Sequence, residues 1–141
     1  MTRVVLDTNI IVSALLQPLG PSAQIFVLTL GRSIQMCVSG SIYADYEEVI
    51  SRPRLRRGEA VIAAALQAIR EKSLWVRPAE TVRACADPDD DIFLECAQAV
   101  KANNLVTGNL KHFPTSWADT RAVTPRWFLD GFLAEQSHEK I

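Results

Sequence analysis

Val4-Val5-Leu6-Asp7-Thr8-Asn9-Ile10-Ile11-Val12-Ser13-Ala14-Leu15-Leu16 sets a carboxylate, a hydroxyl and an amide between two apolar runs. Val4-Val5-Leu6 is short and apolar at consecutive positions, which suits a central parallel strand buried on both faces. Ile10 to Leu16 reads as a short helix with Thr8 or Asn9 as its N-cap. A strand running straight into a helix across three polar residues is the opening of a βα unit.

The same alternation continues along the chain. Pro18, Gly20 and Pro21 break the first helix. Ser22 can cap a second helix that stops at Gly31. Ile34 to Val38 reads as a strand, and a helix starts at Gly40 or Ser41 and ends by Pro53. Glu59 to Lys72 is an alanine-rich helix with Val61, Ala65, Leu66 and Ile69 on its inner stripe. Leu74-Trp75-Val76 is a short strand, and Val82 can extend another. Asp87-Pro88-Asp89-Asp90-Asp91 leads into a helix carrying Ile92, Leu94, Cys96, Ala97 and Val100. Leu105-Val106-Thr107 and Ala122-Val123 are the last strands, and Thr124-Pro125 opens the final helix. Strands and helices in this order imply βαβ units around a mainly parallel sheet of about five strands, with helices on both faces. In such sheets ligands bind in the crevice at the carboxyl ends of the strands.

The chain has 141 residues, 48% hydrophobic and 22% charged, which suffices for one domain with a packed core. We assign residues 1–135 to that domain and expect the polar tail, 136–141, to fray. A net charge of −1 carries no global basic field, so any nucleic-acid binding must be local. Cys37, Cys85 and Cys96 are odd in number and form no CxxC pair, which argues for buried thiols in a reducing compartment. No apolar run approaches the roughly 20 residues that span a bilayer, and no secretory signal opens the chain. A soluble, cytoplasmic protein with no membrane role is expected.

The acids fall where the crevice should be. Asp7 follows the first strand, Asp45 lies one turn into the helix after the second, and Asp89, Asp90 and Asp91 open the helix before the Leu105 strand. Asn109 follows that strand across Gly108. Glu48, three residues after Asp45, shares its helix face. Each has a plain structural alternative as a turn, a cap or a dipole partner. Gathered at one crevice, they would repel one another and raise one another's pKa, a cost that a cation removes. Oxygen donors without His or Cys suit Mg²⁺ or Mn²⁺ over zinc.

VVLDTNIIVSALL, SIYADYEEVISRP, DPDDDIFLECAQA and LVTGNLKHFP, followed by VTPRWFLDGFL, together resemble the PIN domain, in particular the VapC-related toxins of bacterial toxin–antitoxin systems. The resemblance covers nearly the whole chain. It implies a PIN-like α/β/α sandwich and a metal-dependent endoribonuclease that hydrolyses RNA to a 5′-phosphate and a 3′-hydroxyl. Asp7, Asp45 and Asp91 would be its catalytic, Mg²⁺- or Mn²⁺-holding acids. Asp91 is chosen because it lies three residues before Leu94, the first buried position of its helix, and Asp90 is the next candidate. Thr8 and Asn9 would orient Asp7 or a metal-bound water. Asp45 would position the water or act as general base, and Thr107 would bond a phosphate or an acid. The resemblance also implies an antitoxin partner and a homodimer.

Two departures from the family pattern bear on chemistry. The second acid is usually Glu, so Asp45 is shorter by about 1.5 Å and Glu48 is an alternative. The fourth acid is replaced by Asn109, which can ligate through its carbonyl oxygen but adds no charge, and this favours one metal ion over two. A PIN scaffold that binds RNA or a protein without cutting is the competing expectation. For RNA contacts the candidates are Lys111, His112 and the arginines of Arg52-Pro53-Arg54-Leu55-Arg56-Arg57. Trp75, Trp127, Phe128 and Phe132 are expected in the core, whereas Phe113 and Trp117 lie in a loop stretch open to base stacking. The chain has no P-loop or GxGxxG. Asn9 stands where a haloacid-dehalogenase-type phosphatase needs a second Asp, Thr124-Pro125 where a receiver domain needs Lys, and two histidines give a Ser-His-Asp or Cys-His triad little to build on.

Overall fold

The computed structural model describes residues 1–52 and 58–139, with side chains through residue 136. In chain order the elements are β1 (Thr2–Leu6), α1 (Thr8–Leu16), α2 (Pro21–Thr29), β2 (Ile34–Val38), α3 (Gly40–Ile50), α4 (Glu59–Lys72), β3 (Leu74–Trp75), α5 (Asp91–Val100), β4 (Asn104–Val106), β5 (Ser116–Trp117), β6 (Thr120–Val123) and α6 (Pro125–Glu139). Single 3₁₀ turns cover Pro88–Asp90 and Leu110–His112. Helix α3 ends at Ile50; Pro53, by which it is expected to end, and the basic residues Arg54, Arg56 and Arg57 lie outside the described residues.

The strands form one sheet in the order β3-β2-β1-β4-β6-β5. Every pairing is parallel except β5 with β6. β1 is central: Val4 is in register with Met36 on one side and Asn104 on the other. Val4, Val5 and Leu6 are wholly buried, as a strand covered on both faces demands. The core runs from these residues through Ile10, Ile11, Ile25, Met36, Ile42, Leu94 and Leu105. Because β1, β2, β3 and β4 run parallel, their carboxyl ends share one edge, and α1, α3 and α5 start beside it.

The expected α/β architecture is what forms, with six strands. The additional strand is β5, only two residues long and antiparallel, a hairpin arm too short to leave a periodic signal. Several local expectations are corrected. Helix α1 begins at Thr8 with Asp7 in the N-cap position, so neither Thr8 nor Asn9 caps it. Pro21, in the first turn of α2, makes Gly20 its N-cap in place of Ser22. Val82 joins no strand; it is buried in an irregular segment and its N–H donates to Glu95 Oε2 at 3.0 Å. Val61 is half exposed at the start of α4.

The aromatic expectations are largely inverted. Phe113 is buried edge-on against Phe93, with centroids 6.2 Å apart, and Trp117 in β5 is half-buried and donates its Nε1–H to Gln98 Oε1 at 2.8 Å. Neither is free for stacking. Trp75 and Trp127 are instead 43% and 49% exposed, Trp127 beneath the Arg121 guanidinium at 4.7 Å. Phe128 is buried and Phe132 packs against the core as expected. The three cysteines are free thiols, Cys37 and Cys96 buried.

Helix α5 ends on a left-handed residue, Lys101 at φ 53°, after which Ala102 N–H returns to Ala97 O at 2.9 Å. A β-carbon is strained in that conformation, and glycine is the usual occupant. Lys101→Gly is expected to raise stability by roughly 0.5 kcal/mol, read as a higher urea midpoint with an unchanged slope.

Candidate functional site

Asp7 leaves the end of β1 with its N–H donated to Val106 O of β4 at 3.0 Å. That bond keeps the sheet closed up to the residue that carries the charge. Asp7 is only 6% exposed, and its Oδ2 accepts from the hydroxyl of the buried Thr107 at 2.8 Å. Thr107 Oγ1 in turn accepts the Asn109 N–H at 3.0 Å, so the loop after β4 is tied to the acid. Burial pushes the Asp7 carboxyl above its ordinary value; the Thr107 hydroxyl, the Thr8 amide and the His112 charge pull the other way, and Asp45 adds to the rise.

Asp45 reaches the same place from α3. Ser39 caps that helix by accepting Ile42 N–H at 3.2 Å. About two turns beyond the cap, the fully buried Tyr46 donates its hydroxyl to Leu6 O, which pins the helix against the end of β1. Asp45 Oδ2 accepts the Thr8 hydroxyl. Thr8, expected to orient Asp7 through its side chain, therefore holds Asp45, and Thr107 holds Asp7. Asn9 is exposed. Glu48 does not join the crevice: it is 67% exposed and ion-paired with Arg52 at 3.0 Å, which engages both residues on the outer face of α3.

The acidic triplet divides. Asp87 caps the 3₁₀ turn by accepting Asp89 N–H at 2.9 Å. Asp91 Oδ1 accepts the backbone N–H groups of Ala84 and Cys85 at 3.1 and 2.8 Å. Burial opposes its charge, but these amides and the Cys85 thiol outweigh burial and hold the Asp91 carboxyl below its usual value. Asp90 shares the crevice with Asp7: burial and then the Asp7 charge push its carboxyl up. Its Oδ2 lies 3.7 Å from His112 Nδ1, and His112 Nε2 meets Asn109 Nδ2 at 2.9 Å. The expected trio of Asp7, Asp45 and Asp91 is thus not assembled as such. Asp45 and Asp90 each interact electrostatically with Asp7 at the strand ends, with Thr8, Thr107, Asn109 and His112 hydrogen-bonded or paired among them, and Asp91 anchors the segment that carries Ala84 and Cys85. Lys111 is exposed at the rim.

Among the described residues, no three His, Cys, Asp or Glu side chains stand close enough together to form a metal cage as placed. The donor chemistry still suits a hard divalent cation. Asp7 and Asp90 are carboxylates whose charge is disfavoured where it sits, and every other donor nearby is oxygen except the His112 ring.

The profile of the PIN domain matches residues 3–111. An uncharacterized protein of Methanocaldococcus jannaschii is 28% identical, covering 92% of this chain and 91% of its own. Three solved structures share the fold. A chain of VapBC-1 from nontypeable Haemophilus influenzae is 18% identical with a TM-score of 0.60, over 89% of this chain and 99% of that one. A chain of VapBC2 from Rickettsia felis, in a structure bound to a DNA fragment from its promoter, is 14% identical with a TM-score of 0.58, over 87% and 98%. The T. brucei RRP44 PIN domain is 13% identical with a TM-score of 0.52, over 97% and 84%. Among the described residues no single helix is long and apolar enough to cross a membrane.

The opposite shifts of neighbouring acids have opposite consequences. A carboxyl whose folded pKa is raised stabilises the fold below its ordinary value, 3.8 for Asp7, and that contribution is lost as pH rises through the folded value. Asp7→Asn should therefore raise Tm by a few degrees at pH 7 in EDTA, the gain shrinking towards zero in acid below pH 3.8. Asp91, with a lowered value, contributes above 3.8 and loses that contribution as pH falls through its folded value. Asp91→Ala should cost ~2 kcal/mol at pH 7. Thermal melts of the two variants across pH 3–8 check both signs.

Proposed function

This chain belongs to the PIN-domain family, and from that premise we propose that it is a Mg²⁺- or Mn²⁺-dependent endoribonuclease, the toxin of a toxin–antitoxin pair. The observation that carries the reading is that Asp45 and Asp90, from two separate segments, both act at Asp7 on the carboxyl edge of the sheet, with Asp45 adding to the rise of the Asp7 carboxyl and the Asp7 charge pushing up that of Asp90.

Asp7 and Asp90 are the residues to hold the cation, with Asn109 as a neutral donor beside them and Asp45 near enough to share it. When bound, the ion would polarise a phosphoryl oxygen and ease deprotonation of a water. The protein's own contribution is placement. Thr107 fixes the Asp7 carboxylate, so it does not reorganise as charge develops. Thr8 occupies Asp45 Oδ2 and leaves Oδ1 to take the proton of an attacking water. His112, tethered by Asn109 and Asp90, stands at the mouth of the hollow where a phosphate enters, with Lys111 beside it. The absence of a charge at Asn109 favours one ion over two. A partner segment laid in this hollow would silence it, which fits an antitoxin; a homodimer and a cytoplasmic setting belong to the same reading.

Asn109 also supports a second reading, a PIN scaffold that binds RNA or a protein without cutting. Its side chain is committed to His112 in place of an acid.

Cleavage of an unstructured RNA separates the two. We expect cleavage with Mg²⁺ or Mn²⁺, none with EDTA, and a loss of at least about 100-fold in Asp7→Asn and in Asp90→Asn without loss of Tm. Mn²⁺ should raise Tm by linkage, by about 2.7 kcal/mol at one hundred times its Kd, and Asp7→Asn should abolish that rise. Metal-induced stabilisation without cleavage favours the second reading; neither effect sinks both metal assignments.

A further inference from the structure

A cavity of about 620 Å³ opens between the end of β2, the start of α3 and the segment after β3, lined by Ser39, Ser41, Trp75, Arg77 and Glu95 among others. Its place in the sheet is informative. β1 and β2 are neighbouring parallel strands, and Ser39 follows β2 as Asp7 follows β1. β3 pairs with β2 through Val38 and Trp75, and Val76 N–H continues the ladder to Val38 O at 2.9 Å. The cavity therefore opens on the same edge as the acidic hollow, one to two strand spacings away, each about 4.8 Å.

Trp75 forms a rigid wall of this cavity. Its Nε1–H donates to Arg70 O at 3.0 Å, and its ring packs against Tyr43, centroids 5.4 Å apart and tilted by 51°. Tyr43 is itself held by Arg70, which donates to the phenol oxygen and lies 5.8 Å from the ring centre. An indole pinned on its edge and backed by a second ring, yet 43% exposed, still presents a large apolar surface to solvent. Arg77 is exposed, and no ion pair among the described residues engages it. Glu95, with Oε2 committed to Val82 N–H, supplies a carboxylate oxygen as acceptor.

We propose that this cavity is a second subsite of the crevice, holding one base of a single-stranded RNA stacked on Trp75, with a flanking phosphate at Arg77. An aromatic face, a lone cation and an acceptor for an exocyclic amino group are the three contacts one nucleotide needs. The volume suits a small organic group, within the usual 300–1,000 Å³ of ligand clefts. A docking helix would instead want an apolar groove, and two serines, an arginine and a glutamate give this wall the wrong chemistry. The choice of RNA rests on the ribonuclease reading above.

The test measures binding of a fluorescein-labelled ten-nucleotide oligoadenylate RNA by anisotropy in EDTA, so that metal chemistry does not enter. Trp75→Ala should weaken binding about tenfold or more, and Trp75→Phe should keep most of it. Arg77→Glu should weaken it too and lower the slope of log K against log salt by about one. The Mn²⁺-induced rise in Tm should be unchanged in all three. If Trp75→Ala fails to fold, Arg77→Glu decides. No binding by the unsubstituted protein, undiminished binding by a folded Trp75→Ala, or undiminished binding by Arg77→Glu with the salt slope unchanged, overturns the subsite. Trp75-dependent binding in a protein that neither cleaves RNA nor responds to Mn²⁺ sinks the nuclease reading and leaves the subsite standing.

Discussion

The hydrogen bond from Thr107 Oγ1 to Asp7 Oδ2 joins two residues one hundred positions apart and is the contact on which the candidate site depends. A carboxylate placed at the end of a strand buried on both faces loses its water, and the loss is tolerable only with a fixed donor beside it. Thr107 is that donor, and it is available because β4 lies directly alongside β1 with Leu6 opposite Val106. The Tyr46 hydroxyl on Leu6 O repeats the device from the other side. It seats α3 on the strand end, and the seat determines where Asp45 meets Thr8. The hollow is thus a consequence of how three segments satisfy the polar atoms at the end of one apolar strand.

Adjacent acids with opposite tasks follow from helix geometry. Residues one apart on a helical turn do not face the same way, so Asp90 and Asp91 cannot both enter the hollow. Asp91 goes to the amides of residues 84 and 85 and ties down the connection from β3, where no regular ladder does so. Asp90 keeps its place beside Asp7 and His112. One of the pair is comfortable as an anion and the other is not.

Much of this was legible in the sequence, and the misses share a cause. The apolar run before Asp7, the alanine-rich α4 and the Thr124-Pro125 start are local signals, and the structure places those elements where they pointed. The preference for Asp91 over Asp90 rested on distance to Leu94, a local measure. What decided the matter was the backbone of residues 84 and 85, which no periodicity announces. Glu48 shared a helix face with Asp45 on paper, yet three residues of rotation and a nearby Arg52 took it outward. Trp75 read as core because β3 is short and apolar; it is an edge strand, and an edge leaves one ring face uncovered. β5 was invisible because two residues carry no pattern.

The order of the strands has a consequence for synthesis. β1 emerges first, but one of its two neighbours, and the hydroxyl that steadies its acid, arrive about three-quarters of the way along the chain. Pairings of such long sequence separation form late. A nascent chain halted before β4 carries all three acids, Asp7, Asp45 and Asp90, but neither the strand that flanks β1 nor the Thr107 hydroxyl that fixes the first of them. The acids are thus made early, and the crevice that gathers them is completed only after most of the chain has been translated.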